Sequence, residues 1–141
     1  MRLSPEIYQE ILLDHSKRPR GEGLLADATH RSEAANPDVG DAVTLTLRIG
    51  ETVESIGWEA QGSAVLRASC SLMGEFVRGK TLAQAQEGAA LFREFLTGAV
   101  DPDEASYAFF GDVAALSGIR HLPARVKCAM LPWRALMAIE A

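Results

Sequence analysis

Hydrophobic and polar residues alternate through the middle of the chain, and this period of two predicts β-strands. The clearest run spans residues 43–49, and a second run of the same kind spans residues 56–60. Such alternation is typical of a strand with one buried face. Gly50-Glu51 suits a two-residue hairpin turn between the runs, and a weaker run begins near Thr29. Together these runs predict a three-stranded antiparallel sheet with one apolar face.

Apolar residues recur every three or four positions in much of the remaining chain, which predicts helices. Ser4 and Pro5 mark the start of a first helix that extends to about His15, because serine suits the N-cap and proline the first helical position. After the strands, Ser63 is placed to cap a second helix, which Gly79 ends.

A third helix is predicted directly after the second. Thr81 and Gln84 form a capping-box pattern that opens it, and Gly98 ends it. The following segment, residues 99–122, is less regular and predicts one short helix near residues 112–116.

The last helix is predicted to begin at Pro123. Pro132 lies within it and cannot donate a hydrogen bond to the carbonyl of Cys128, which predicts a kink there or a later effective start. All these elements together predict an α+β fold in which about five helices pack on the three-stranded antiparallel sheet, as a single domain over residues 1–141.

The composition is that of a globular protein with an acidic balance. Of 141 residues, 48% are hydrophobic and 23% are charged, which is sufficient for one core. The net charge of −5 argues against a general nucleic-acid binder, because phosphate binding needs a surplus of Lys and Arg. No apolar run approaches the roughly 20 residues of a membrane span, and the N-terminus lacks the pattern of a secretion signal. We therefore predict a cytoplasmic protein that binds neither nucleic acid nor membranes.

Cysteine and histidine residues are few and widely separated. Cys70 and Cys128 cannot make a disulfide framework and are too few for a zinc site of thiolates alone. His15, His30 and His121 each lack a second metal ligand three or four residues away, so we predict surface or capping roles for them.

Two short stretches near the sheet carry candidate chemistry, and each also has a purely structural explanation. In NPDVGD, residues 36–41, Gly40 permits a sharp turn and Asp41 projects at the start of a strand, or merely hydrogen-bonds its own loop. Ser63 lies at a strand-to-helix junction, where free N–H groups favour an anion or a thiolate. The alternative for Ser63 is an ordinary N-cap.

A third candidate is Cys128, which stands beside Arg125 and Lys127 near the start of the last helix. Positive charge and the helix dipole at that position predict a lowered thiol pKa, and the alternative is a buried packing role. A second basic group is either solvated or part of a partner surface, and it consists of Lys17, Arg18 and Arg20.

The order of four stretches along the chain resembles the U-type iron–sulfur cluster assembly proteins, the IscU/SufU/NifU N-terminal scaffold family. These stretches are ILLDHSKRPRGEG, NPDVGD, EAQGSAVLRASCSLMGEFVRGK and LPARVKCAMLPWRAL. The similarity runs nearly end to end, and the long segment 99–122 and Lys127 look like the SufU branch. The resemblance implies a three-stranded sheet packed by helices, as the periodicity does.

The same resemblance implies a site of three cysteines and one aspartate that holds zinc or a nascent iron–sulfur cluster. The family patterns are NPxCGD, GxGC, and KC or HC. Matched position by position, Asp41 and Cys128 are retained as metal ligands, whereas Val39 and Ser63 replace the other two cysteines. Cys70 lies two helical turns beyond Ser63, about 10 Å away, and does not restore the site.

We therefore predict a non-enzymatic iron–sulfur cluster assembly protein whose depleted site does not hold zinc or a cluster tightly alone. The resemblance implies a cysteine desulfurase and other assembly proteins as partners, with the two basic groups as a possible partner surface. The alternative is a non-catalytic paralogue that binds and regulates a cysteine desulfurase or another assembly partner. Two further alternatives are a fold kept for an unrelated interaction and a redox role for the Cys128 thiol.

Overall fold

The computed structural model describes residues 2–140 and contains a three-stranded sheet, five α-helices and one 3₁₀ helix. In chain order these elements are α1 (Pro5–Lys17), β1 (His30–Asn36), β2 (Asp41–Ile49), β3 (Val53–Gln61), α2 (Ala64–Val77), α3 (Leu82–Thr97), α4 (Glu104–Phe110), the 3₁₀ helix (Gly111–Ile119) and α5 (Pro123–Met137). The predicted α+β fold, with its antiparallel sheet and five helices, is confirmed.

The strands follow one another in the order β1-β2-β3, with antiparallel pairing throughout. Asn36 of β1 pairs with Asp41 of β2, and Ala42 pairs with Gln61 at the end of β3. The β1–β2 turn and the junction between β3 and α2 therefore lie at the same end of the sheet. This register brings two stretches together that are more than 20 residues apart in sequence.

The loop after α1 covers the outer edge of β3. The Trp58 N–H donates to the Gly21 carbonyl at 3.0 Å, and the Gly23 N–H donates to the Trp58 carbonyl at 2.7 Å. The Trp58 indole Nε1 also donates to the Arg20 carbonyl at 2.9 Å. These bonds satisfy backbone groups that an open sheet edge would leave unpaired.

Helices α2 and α5 pack against each other and against the sheet. A buried hydrogen-bond chain joins them: the Trp133 indole Nε1 donates to Ser69 Oγ at 2.9 Å, and Ser69 Oγ donates to the Ala129 carbonyl at 2.6 Å. Trp133 also stacks on Phe92 of α3, with ring centroids 4.3 Å apart. This packing fixes the position of α5 relative to α2.

Most of the predicted helix boundaries are confirmed by their caps. Ser4 Oγ accepts from the Ile7 N–H, and Ser63 Oγ accepts from the Leu66 N–H. Thr81 opens α3 with a complete capping box. Local capping chemistry was therefore sufficient to place these three helix starts.

Two local predictions were wrong, and a third was wrong in one of its alternatives. The β2–β3 turn spans residues 50–52, because the Gly50 N–H bonds to the Thr52 carbonyl and closes a wider turn. Segment 99–122 contains two helices, since Asp103 caps α4 and Gly111, with φ of +55°, separates it from the 3₁₀ helix. Helix α5 begins at Pro123, as predicted, and continues through Pro132, so the alternative of a later start was wrong and the kink stays a prediction.

Within residues 2–140, every helix is too short or too polar to cross a lipid bilayer.

Candidate functional site

Asp41, Ser63 and Cys128 converge at the end of the sheet where the β1–β2 turn meets the start of α2. Asp41 is the first residue of β2, Ser63 is the N-cap of α2, and Cys128 lies in the second turn of α5. The Asp41 carboxylate and the Ser63 hydroxyl both act on the ionisation of the Cys128 thiol. The three positions that the family resemblance brought together therefore form one cluster.

Asp41 is held in a pocket that only a glycine at position 62 leaves open. A Cβ on Gly62 would overlap the Asp41 carboxylate, coming within 2.9 Å of its Cγ. Gly62 also has φ of +152°, a conformation that other residues rarely adopt. A glycine is therefore favoured at position 62 by its backbone conformation and by the space that Asp41 occupies.

Among the described residues, no basic side chain forms an ion pair with the buried Asp41 carboxylate. The residue is 4% exposed, and within residues 2–140 its buried Oδ2 has no hydrogen-bond partner. An unpaired buried carboxylate oxygen is costly unless a group that binds it is supplied. The explanation that Asp41 merely hydrogen-bonds its own loop therefore does not account for Oδ2.

The Cys128 thiol is a poor source of thiolate. Cys128 is 9% exposed. Burial raises the pKa of the thiol, the Asp41 carboxylate raises it further, and the Ser63 hydroxyl lowers it in part. The predicted lowering of this pKa by Arg125 and Lys127 was wrong, because both residues are exposed and desolvation of the sulfur outweighs them.

Ser63 is already engaged as the helix cap. Its Oγ accepts from the Leu66 N–H at 3.3 Å, so the N-cap explanation is confirmed. A neutral hydroxyl in this role is a weaker metal donor than the thiolate that the family pattern has at this position.

Val39 and Cys70 do not add a ligand to the cluster. Val39 lies in the turn before β2 and is 55% exposed, an aliphatic side chain without a lone pair. Cys70 is fully buried in the core, where burial strongly raises the pKa of its thiol. The predicted packing role of Cys70 is confirmed.

The donors do not fit a resident zinc ion or cluster held by this chain alone. A structural zinc site takes about four N, S or O ligands in tetrahedral geometry. Throughout residues 2–140, no three His, Cys, Asp or Glu side chains converge closely enough to bind a metal ion. The cluster offers the Asp41 carboxylate, the Cys128 thiol and the Ser63 hydroxyl. That hydroxyl already accepts the N-cap hydrogen bond.

The two predicted basic groups lie on different elements. Arg18 and Arg20 both pair with Asp14, at 2.7 Å and 2.6 Å, so much of their charge is balanced locally. Lys17 is exposed at the end of α1, and Arg125 and Lys127 are exposed on the first turns of α5. Their role as a partner surface stays a prediction.

His15 was predicted to lie at the surface or in a cap, and this was wrong. The residue is 3% exposed, its Nδ1 lies 2.7 Å from Ser71 Oγ, and its Nε2 lies 3.6 Å from Glu75. Its spacing from Tyr8 and Leu12 places it on the inner face of α1, and this signal was available in the sequence.

A protein family and several known proteins are similar to this chain. Residues 7–129 match the profile of the NifU-like N terminal domain family. The zinc-dependent sulfurtransferase SufU of Bacillus subtilis (strain 168) is 34% identical over 131 residues, which make up 92% of this chain and 86% of that protein. The iron–sulfur cluster assembly scaffold protein IscU of Streptococcus pyogenes serotype M1 is also 34% identical over 131 residues, covering 92% of this chain and 80% of that protein.

Similarity extends to a crystal structure of a candidate iron–sulfur cluster assembly scaffold protein for the SUF system from Fervidobacterium islandicum AW-1. It superposes with a TM-score of 0.81 at 29% identity, over 95% of this chain and 96% of that chain.

Proposed function

The chain belongs to the NifU-like N-terminal domain family, and we propose that it serves iron–sulfur cluster assembly with a depleted site that holds neither zinc nor a cluster tightly alone. The family match over residues 7–129 supports the assembly role, and it confirms the resemblance found in the sequence. The proposal of a depleted site rests on one observation. Asp41 and Ser63 lie beside Cys128, which supplies the single thiol of the cluster.

In this proposal an iron–sulfur cluster is bound transiently as a substrate, and some of its ligands come from another molecule. One carboxylate and one thiolate from this chain leave half of a four-donor set to be supplied. A second copy of the chain, an assembly partner or a small thiol has suitable donors. The orphaned Asp41 Oδ2 supports this proposal, because it is an acceptor that such an assembly would engage.

Sulfur acceptance at Cys128 requires only the one thiol. In its thiolate form Cys128 attacks the outer sulfur of a donor persulfide, R–S–SH. A new S–S bond forms on Cys128, the donor S–S bond breaks, and the donor leaves as the thiolate R–S⁻. The chain acts here as an acceptor and not as an enzyme, and the donor is a cysteine desulfurase by family resemblance.

Metal analysis after anaerobic reconstitution tests the depleted site. The purified chain is incubated separately with zinc and with iron plus sulfide, desalted, and analysed for metal, sulfide and mass by size-exclusion chromatography with light scattering. We expect well below one metal ion per monomer. Near-stoichiometric metal in a monomer would overturn the proposal.

Restoring the missing thiols tests whether the remaining geometry is intact. The double variant Val39→Cys with Ser63→Cys is expected to bind zinc and gain thermal stability, since ligand at about 100 times its Kd stabilises the folded state by about 2.7 kcal/mol. The matched control adds Cys128→Ser to the double variant and is expected to lose both gains. Zinc binding that survives this control would place the metal elsewhere.

A second function, binding and regulation of a cysteine desulfurase without sulfur transfer, is favoured by the burial of Cys128 and the raised pKa of its thiol. The two functions differ in their dependence on Cys128. Co-purification with the desulfurase of the same cell that survives Cys128→Ser, without any persulfide on the wild-type chain by mass spectrometry, would establish the regulator. Persulfide on Cys128 would establish the acceptor.

A further inference from the structure

A cleft lies away from the Asp41–Cys128 cluster, between the start of α1, the 3₁₀ helix and the start of α5. Its volume is about 500 Å³, which is within the range of about 300 to 1,000 Å³ usual for small-molecule sites. Asp41, Ser63 and Cys128 are not among its lining residues. A ligand in the cleft would therefore occupy a separate site.

The cleft is lined by an excess of basic side chains. They are Arg2, Arg120, His121 and Arg125, against one acidic residue, Asp101. Arg120 neutralises that acid with a 2.7 Å ion pair. Throughout residues 2–140, neither Arg2 nor Arg125 has an acidic partner. The charge that remains unbalanced in the cleft is positive.

Arg120 also gives the cleft a rigid wall. Its side chain is 8% exposed and donates to the carbonyls of Gly98 and Val100 in addition to Asp101. Its buried Nε has no hydrogen-bond partner within residues 2–140. Arg120 therefore holds the wall of the cleft in place, while its charge is balanced by Asp101.

Two helix N-termini meet at the cleft and add to its positive potential. Leu3 and Pro5 line it at the start of α1, and Leu122 and Arg125 line it at the start of α5. Within the part of the chain that the structure describes, no side chain caps the α5 N-terminus. Helix N-termini carry partial positive charge and unpaired N–H groups, which favour an anion.

Much of the remaining wall is apolar or aromatic. Tyr8, Leu12, Tyr107 and Ile119 contribute to it. The Arg2 guanidinium lies 4.3 Å from the centroid of the Tyr107 ring, in cation–π geometry. A bare inorganic ion would leave this wall uncovered, whereas a ligand with an apolar body would cover it.

We propose that this cleft binds a small organic anion, in which a carboxylate or phosphate group contacts Arg2 and Arg125 and an aryl or alkyl body packs on the apolar wall. The proposal does not use Asp41, Ser63 or Cys128, on which the depleted site rests, so each proposal can fail alone.

Binding of four probes to the full chain tests the proposal. Isothermal titration and amide chemical-shift mapping are carried out with phenyl phosphate, phenylacetate, inorganic phosphate and phenol. We expect saturable one-to-one binding of at least one of the two aromatic anions, with a Kd of about 1 mM or tighter, which is reasonable for molecules of this size. The probe that binds tighter identifies the anionic group. Phenol and inorganic phosphate are expected to bind about tenfold more weakly or not at all.

Charge-neutral variants locate the site. Arg125→Gln is expected to weaken binding of the aromatic anion about tenfold, as loss of a charged hydrogen bond does, and Arg2→Gln is a second variant. The matched control is Arg134→Gln, because Arg134 is exposed on the same helix and does not line the cleft. The proposal is overturned if neither aromatic anion binds, if inorganic phosphate binds as tightly as phenyl phosphate, or if Arg134→Gln weakens binding as much as Arg125→Gln.

Discussion

The Asp41 carboxylate lies in the space that a side chain on Gly62 would occupy. The contact joins the start of β2 to the residue before the N-cap of α2, and the same carboxylate acts on the Cys128 thiol of α5. The geometry of the candidate site therefore depends on a residue that has no functional group. Two loops that are separate in sequence act as one structural unit at this end of the sheet.

Replacing Gly62 with alanine is expected to disturb the site and the fold together. The new Cβ would overlap Asp41 and approach the Leu66 side chain to 2.9 Å, at a backbone φ of +152°. We expect Gly62→Ala to lower the free energy of unfolding by about 1 to 3 kcal/mol, measured by urea denaturation. Gly118→Ala is the control, because a Cβ there has nothing within 4 Å. Equal free energies of unfolding for the two variants would contradict the predicted overlap between the new Cβ and Asp41.

The hydrogen-bond chain between α2 and α5 predicts a large effect of a small substitution. Ser69→Ala leaves the Trp133 indole N–H without its acceptor in the core and removes one hydrogen bond to the Ala129 carbonyl, which keeps its bond within α5. Since a buried unsatisfied group costs about 1 to 3 kcal/mol, we expect a loss of about 1 to 3 kcal/mol in unfolding free energy. Ser16→Ala is the control, because the exposed Ser16 hydroxyl donates to the Leu13 carbonyl of its own helix. A loss of unfolding free energy no larger than that of the control would show that these hydrogen bonds do not stabilise the fold.

The two cysteines are predicted to differ in reactivity. Cys70 is fully buried and is expected to react with iodoacetamide only on unfolding. Cys128 is marginally accessible, and the pKa of its thiol is raised, so we expect slow labelling in the native protein. Peptide mass mapping over time distinguishes the sites, and Cys128→Ser is the control for site assignment. Labelling of Cys70 as fast as Cys128 would contradict the burial in the core.

Burial of His15 predicts a loss of stability on mild acidification. Burial lowers the pKa of His15 below its usual value of 6.5, Arg20 adds to this effect, and Glu75, Asp14 and Asp112 oppose it. The unfolded chain therefore binds the proton more readily than the folded chain. The contribution of neutral His15 is fully present above about pH 6.5 and is lost as the pH falls through the lower pKa of the folded state.

Urea denaturation between about pH 5 and pH 8 measures this dependence, a window that brackets the ordinary histidine pKa. His15→Asn is the comparison, because asparagine does not titrate and its amide can reach the Ser71 hydroxyl that His15 Nδ1 contacts. The variant is expected to show a flatter pH profile over this range. A profile as steep as that of the native protein would assign the effect to other groups.

Regular elements of the fold were predictable because their signals are local. Period-two alternation identified β2 and β3, and capping residues identified the starts of α1, α2 and α3. Segment 99–122 was not predicted well. Its α4 depends on the Asp103 cap and on aromatic packing of Phe110 against Phe92 and Phe95, and such contacts with a distant helix cannot be read from periodicity.

The sequence by itself determined which donors exist at the candidate site. Val39 and Ser63 supply no thiolate wherever they lie, so one carboxylate and one thiol are the most that the family positions offer. The turn residues, the caps and the family pattern were likewise present in short stretches of chain. These properties depend on side-chain chemistry and on neighbours in sequence.

Only the tertiary structure decided how those groups behave. Desolvation by elements far apart in sequence raised the pKa of Cys128, although its neighbours in sequence are basic. Packing of α1 on α2 buried His15. The same long-range packing left Asp41 Oδ2 unpaired and brought Arg2 and Arg125 to one cleft. Solvation and the meeting of charges are set by three-dimensional neighbours, and the sequence order does not specify those neighbours directly.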